Sequence, residues 1–151
     1  MGVHAFGKIL GLDFGKVRIG IALSDESRTF AFGREFIQND NKSLSKLKSI
    51  IETENVTMIV LGYPVNLKGE KTKQTIEVER FEEKLKSITE PLKTDVVRWD
   101  ERFTSKMATD SLIESGMKKK KRQIKGYVDI VSAALLLQSY LDSIKNRQSV
   151  D

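Results

Sequence analysis

Three acidic positions stand out for where they fall relative to apolar runs. Asp13 closes the run Ile9-Leu10-Gly11-Leu12, Asp100-Glu101 directly follows Val96-Val97-Arg98-Trp99, and Asp129 precedes Val131, Ala134, Leu135, Leu137, Gln138 and Leu141. A carboxylate at the end of a half-buried strand loses hydration, at a cost of several kcal/mol unless a cation or hydrogen bonds compensate it. A metal ion explains Asp13 economically, and a turn aspartate capping a hairpin at Gly15 explains it locally. Acids at a strand's exit can face a ligand crevice, because in open α/β sheets ligands bind beyond the carboxyl ends of the strands. Asp100 or Glu101 could meet Asp13 there, or both could merely favour the positive end of a following helix. Asp129, in the first turn of an apolar-faced helix, has the same two readings. Small residues at Ser132, Ala133 and Ala134 let that helix approach a sheet closely, which makes a three-carboxylate pocket feasible.

Cationic groups accompany the acids. Lys16 and Arg18 lie just beyond Asp13, and Arg18 could grip a phosphate or serve as an ordinary ion-pair partner. Lys118, Lys119, Lys120, Lys121, Arg122 and Lys125 place six cations in eight positions within a chain of net charge +5. Such a block fits a polyanionic partner or a solvated basic loop. The single histidine, His4, lies near the start, and cysteine is absent. A serine triad, a histidine base, a thiol nucleophile and thiolate zinc sites are thereby disfavoured, leaving hard oxygen ligands as the chemical resource.

The elements that position these groups follow from periodicity. Residues 8–13 and 17–24 are β-prone runs around Phe14-Gly15-Lys16, and 29–36 continues them as a third antiparallel strand. Leu44, Leu47, Ile50 and Ile51 recur at helical spacing in 43–52, before the short strand Met58-Ile59-Val60-Leu61, which ends at Gly62-Tyr63-Pro64. A charged helix over 72–87 then feeds a strand at 95–99, and this repeated helix-to-strand order implies parallel crossovers. Helices over 105–115, ended by Gly116, and 128–144 complete an α/β fold with a five-stranded mixed sheet, three strands antiparallel and two parallel. Trp99 is expected in the core.

At 151 residues, 39% hydrophobic and 31% charged, the chain fits one domain spanning 1–151 with an ordered core of about 8–144. Its start carries neither an export nor a myristoylation signal, and no apolar run nears the roughly 20 residues that cross a bilayer. A cytoplasmic protein without a membrane partner is expected, in keeping with the missing cysteines.

Four segments, in order over about 8–143, resemble the YqgF-type family, Holliday-junction-resolvase-like nucleases of the ribonuclease H superfamily. Gly11-Leu12-Asp13-Phe14-Gly15, with Arg18, Gly20, Ala22 and Leu23-Ser24-Asp25, is similar to the family's opening signature, and Gly62-Tyr63-Pro64 to its Gly-x-Pro turn. Trp99-Asp100-Glu101-Arg102-Phe103-Thr104 resembles its Asp-Glu-Arg element, and Asp129 through Ala133-Ala134 to Asp142 its closing helix. The resemblance implies a ribonuclease H-like fold and metal-ligand roles for Asp13, Glu101 and Asp129. It also matches Lys121 and Arg122 to basic residues upstream of the last acid, and implies a place in maturing small-subunit ribosomal RNA. Two departures stand out: the segment Gln123-Ile124-Lys125-Gly126-Tyr127-Val128 is longer and less basic than the family's lead-in, and Ser132 replaces an alanine.

Hydrolysing a phosphodiester requires an activated water, neutralised negative charge and a stabilised leaving oxygen. Mg²⁺ or Mn²⁺ on carboxylates supplies all three. The expected function is metal-dependent cleavage of structured nucleic acid, foremost at the 5′ end of the 16S rRNA precursor, by a monomer or weak homodimer. Arg18 and the cations from Lys118 to Lys125 would hold the backbone of RNA precursor or branched DNA. Resolution of four-way DNA junctions and a non-catalytic nucleic-acid-binding module are the alternatives. ATP-dependent phosphotransfer on a related fold is disfavoured, because it needs a second lobe. Neutralising Lys119, Lys121 and Arg122 together is expected to weaken nucleic-acid binding and lower its salt slope by up to about three. Titrations at several salt concentrations check this, and an unchanged slope would assign the run to solubility.

Overall fold

Alternation along the first apolar run decides which residues reach which side of the sheet. In the computed structural model, which describes residues 7–102 and 126–150, β1 (Lys8–Phe14) pairs antiparallel with β2 (Arg18–Ser24). The register sets Asp13 opposite Gly20 and Gly11 opposite Ala22. Beyond them β3 (Ala31–Gln38) pairs antiparallel with β2. The chain returns through α1 (Ser43–Thr53) to β4 (Val56–Tyr63), parallel to β1, and through α2 (Lys73–Thr89) to β5 (Asp95–Asp100), parallel to β4. The strand order is β3-β2-β1-β4-β5. The expected mixed sheet, three antiparallel strands followed by two parallel ones, is therefore what the chain forms.

One face carries Leu10, Leu12, Phe14, Ile19, Ile21, Ile59 and Leu61. It packs on Leu47, Ile50 and Ile51 of α1 and on Val78, Phe81 and Leu85 of α2. The other face carries Ile9, Ala22 and Val60 under Ala133, Leu137, Tyr140 and Leu141 of α3 (Tyr127–Val150). Period-two alternation gives Asp13 the same parity as Ile9 and Gly11, so it belongs to the α3 face.

On that face three strands offer a glycine beneath the helix. A Cβ at Gly11 would lie 2.8 Å from Leu137 Cβ, one at Gly33 would lie 2.7 Å from Ile130 Cγ2, and one at Gly20 would strike the Asp129 carbonyl. Glycine inside a strand often marks such close backbone approach. The small residues of the helix were expected to allow this contact; Gly11, Gly20 and Gly33 complete it from below. Gln138 fastens the same helix to the sheet edge, accepting from Ala31 N–H at 2.8 Å and donating to the Thr29 carbonyl at 3.0 Å.

Boundaries differ from the periodicity reading in instructive places. β3 starts at Ala31 rather than 29, because the Asp25 carboxylate takes the Thr29 and Phe30 N–H groups at 2.8 and 3.1 Å and Arg28 adopts a left-handed φ of 57°. Those bonds hold the segment in a turn before pairing begins. Thr72 caps α2 in a capping box with Thr75. The final helix runs past the expected end at 144 to Val150. The helix expected over 105–115 and the cations from Lys118 to Lys125 lie outside the described residues. Gly11→Ala is predicted to cost about 1–3 kcal/mol of unfolding free energy through overpacking against Leu137, measured by urea denaturation.

Candidate active site

Each acid is delivered by a different element. Asp13 is the sixth residue of β1, one before the strand ends at Phe14. Glu101 follows β5, where its N–H reaches the Tyr63 carbonyl at 3.4 Å and prolongs the parallel ladder between β4 and β5 by one step. Its carboxylate then occupies the space a side chain at position 62 would need, since a Cβ on Gly62 would collide with Glu101 Oε2. Asp129 rides in the first turn of α3, whose entry is set by Gly126 at φ 89°, packed where a Cβ would meet the Phe36 ring. Only glycine adopts that backbone conformation without strain and leaves room for the ring.

Asp13 and Glu101 share a hydrogen bond, and the Asp129 charge acts on Asp13. Burial pushes the Glu101 carboxyl up to about 9, with the Asp13 charge, their hydrogen bond and the Asp100 charge adding to it. Asp13 rises to about 6, chiefly through burial; the hydrogen bond from Glu101 opposes the rise and Asp129 reinforces it. Both shifts run the same way, so the pair retains a proton to higher pH than free carboxyls do.

Asp129 points elsewhere. Its Oδ2 accepts from Arg18 Nε at 2.9 Å, with both side chains about a quarter exposed. Among the described residues no three His, Cys, Asp or Glu side chains converge closely enough to ligate one ion. The structure thus brings Asp13 and Glu101 together, places Asp129 within electrostatic reach of Asp13, and pairs Asp129 with Arg18. Asp100 has the opposite parity to Glu101 and is engaged by its own neighbour: Arg102 Nη2 lies 2.6 Å and Nε 2.7 Å from its Oδ2, and these bonds hold its carboxyl below the usual range. Of the two adjacent acids, geometry selects Glu101. Trp99 is half-buried at the margin of the core, edge-on to Tyr140 with ring centroids 5.2 Å apart, and donates its Nε1–H to Ser139 Oγ at 3.2 Å.

The donor set suits a hard divalent cation. Two carboxylates converge where burial disfavours their charge, no lysine or arginine among the described residues pairs with either, and a third carboxylate lies near. Such a constellation has the oxygen chemistry of Mg²⁺ or Mn²⁺ sites. Periodicity did not single out Gly20, which carries the helix backbone beside Asp13; its signal was a glycine interrupting a β-branched run.

Comparison with known proteins decides the family. A model of the RuvX family, described as Holliday junction resolvase, matches residues 7–143. The chain belongs to this family. A protein of Ruminiclostridium cellulolyticum called "putative pre-16S rRNA nuclease" is 42% identical over 140 residues, covering 91% of this chain and 95% of the relative. One of Sulfurihydrogenibium sp. under the same name is 40% identical, covering 91% of each. Solved structures share the fold at low identity. RuvC of T. thermophilus in complex with a Holliday junction substrate superposes with a TM-score of 0.59 at 10% identity, over 93% of this chain and 96% of that one. Fowlpox virus resolvase in complex with Holliday junction DNA gives 0.60 at 14% identity, over 91% and 98%. The fold is accordingly ribonuclease H-like, and the RuvX chain falls in the class of nucleases, hydrolases of phosphodiester bonds.

The raised carboxyls carry a stability signature. Between the ordinary glutamate value of 4.5 and about 9, folded Glu101 binds more proton than the unfolded chain does, so unfolding free energy falls as pH climbs through that window. Glu101→Gln removes this loss. In chelator at pH 8 the variant is predicted to melt above the parent, by roughly 2–4 °C for each kcal/mol relieved, with the gap closing as pH nears 4. Melting curves from pH 4 to 9 check it, and parallel curves for the two proteins would contradict the assignment.

Proposed function

We propose that this RuvX chain is a metal-dependent nuclease that processes the 5′ end of the 16S rRNA precursor during ribosome biogenesis, in a cytoplasmic setting. One observation carries the reading: Asp13 and Glu101, 88 positions apart in sequence, meet in a single hydrogen-bonded carboxylate pair at the C-terminal end of the sheet. Nothing in the surrounding core needs two acids there, and burial makes the pair unfavourable for stability. The choice of RNA rests on relatives near 40% identity whose names specify that substrate, against 10–14% for the junction resolvases.

Asp13 and Glu101 would hold the cation, with Asp129 as the third ligand. Bound there, Mg²⁺ or Mn²⁺ supplies an activated water and offsets charge on the phosphate under attack. The chain's own groups do the positioning. The Asp13–Glu101 pair, whose buried carboxyls retain a proton above the ordinary carboxylate range, would have to lose it to hold a cation, so cation binding would be linked to proton release. Arg18 holds Asp129 by one edge of a planar guanidinium that has further donors for a phosphate oxygen. The cationic positions Lys118, Lys119, Lys120, Lys121, Arg122 and Lys125 would grip the nucleic-acid backbone, supplying affinity with little sequence choice.

A second reading, cleavage of four-way DNA junctions, is favoured by the two fold neighbours solved with such junctions. The acids would be the same and a symmetric dimer would be needed to face two strands. One experiment separates the two. Wild type and Asp13→Asn are incubated with 16S rRNA precursor and with synthetic junctions, in Mg²⁺, Mn²⁺ or chelator. We expect cleavage of the precursor, its loss in chelator, and a drop of roughly 10²–10³-fold or more in Asp13→Asn with binding retained. Full activity in the variant would defeat the role of the acids. Cutting of junctions alone would transfer the substrate to DNA.

A further inference from the structure

On the face of the sheet opposite the carboxylate pair, the rim of the α1–α2 core opens into a cavity that the acids do not use. Asp13 and Phe14 are adjacent at the end of β1 and point to opposite sides, so one flanks the candidate active site and the other helps floor this cavity of about 390 Å³. Its walls come from residues 39–41, the start of α1 and the middle of α2. The volume falls within the range of small-ligand sites, roughly 300–1,000 Å³.

The lining has two kinds of surface. Phe14 and Phe81, whose rings stack at a tilt of 33° with centroids 4.7 Å apart, form an apolar floor together with Leu44. Around it stand Lys16, Arg80 and Lys84, none of which holds an ion pair with a described residue. At the start of α1 the Ser43 N–H is already taken by the Asp40 carbonyl at 3.2 Å, and Lys42 at the cap makes no side-chain hydrogen bond to the helix. Two acids share the rim. Asp40 already accepts from the Lys42 N–H at 2.9 Å, and Glu77 is half-buried and holds no ion pair with a described residue. Asn39 is spent on structure, donating to the Gly15 and Lys16 carbonyls at 2.8 and 3.3 Å and so fixing the hairpin that carries Lys16.

We propose that this cavity holds one nucleotide of the strand whose neighbouring phosphodiester lies at Asp13 and Glu101. A base packs against the small exposed margin of Phe14 and Phe81 and against Leu44; Glu77 and Asn41 meet its polar edge, and Lys16, Arg80 and Lys84 hold its phosphates. Aromatic and apolar floors with a cationic rim are the usual means of binding single-stranded nucleic acid. A duplex cannot offer a base to such a pocket without unpairing it, so the cavity selects an unpaired nucleotide beside the cut. The inference rests on the nuclease reading for its substrate, and its position adjoins the acids without using them.

The test uses the full chain in chelator, where cutting stops, with a short single-stranded RNA containing 4-thiouridine. The double variant Arg80→Glu, Lys84→Glu alters only exposed side chains of α2. We expect its affinity to fall about tenfold or more and its salt slope to drop by about two relative to the parent, with an unchanged melting temperature. Crosslinks in the parent should map to peptides containing Phe14, Lys16 or Phe81. Equal affinity and slope in both proteins, or crosslinks confined to other segments, would overturn the pocket assignment while leaving cleavage by the acids intact. Uridine monophosphate competing as well as the RNA would make the ligand a free nucleotide and overturn the strand assignment. Absence of metal-dependent cutting together with normal pocket binding would count against the nuclease reading alone.

Discussion

The site depends on a helix backbone lying directly on a sheet. At Gly20 no side chain separates β2 from the carbonyl of Asp129, and at Gly11 and Gly33 the same clearance admits Leu137 and Ile130. Because Gly20 is the register partner of Asp13, the closest approach of α3 falls beside the first acid. The placement of Asp129 is thus a packing consequence before it is an electrostatic one. Interiors this dense transmit small changes, and a methyl group at the wrong strand position would lift the helix and its acid together.

Two glutamates on opposite faces of the sheet show how environment separates a compensated carboxylate from an uncompensated one. Glu82 of α2 is only 5% exposed, yet Arg98 grips it through both oxygens at 2.7 to 3.2 Å. The Arg98 guanidinium also lies 4.6 Å above the Tyr63 ring, and Tyr63 donates to Glu79, which Lys71 holds at 2.9 Å. This network spans β4, β5 and α2 and fixes the strand end from which Glu101 emerges. Glu101 itself faces another acid instead of a base. A charge buried with its partner supports the fold weakly or neutrally, whereas a carboxyl buried against a second carboxyl is destabilising unless something else binds there. The fold therefore keeps one buried acid compensated by a base and one buried acid pair that is not.

Much of this was readable in the residues. Apolar alternation marked five strands, helical spacing marked α1 and α3, and the order of helices and strands implied the parallel half of the sheet. Boundaries slipped where side-chain hydrogen bonds compete with pairing, as Asp25 does at the start of β3. Asp13 and Asp129 stood out because each interrupts or heads an apolar stretch. Arg18 carried two open roles, phosphate ligand and ion-pair partner; the structure shows the ion pair, and a phosphate role would use its remaining donors.

What the sequence alone determined was the inventory: which acids adjoin buried strands, the five strands and the described helices in their order, and which carry alternating or helical faces. These are local properties, set by side-chain type and by periods of two and 3.6 residues. The tertiary structure decided partnership. It chose Glu101 over Asp100 by strand parity, joined it to Asp13 from 88 positions away, and turned Asp129 onto Arg18. It also brought Lys16 of the hairpin to the cations of α2 around one cavity. Distances between side chains on separate elements follow from register and close packing of the whole chain, and no window of residues contains them.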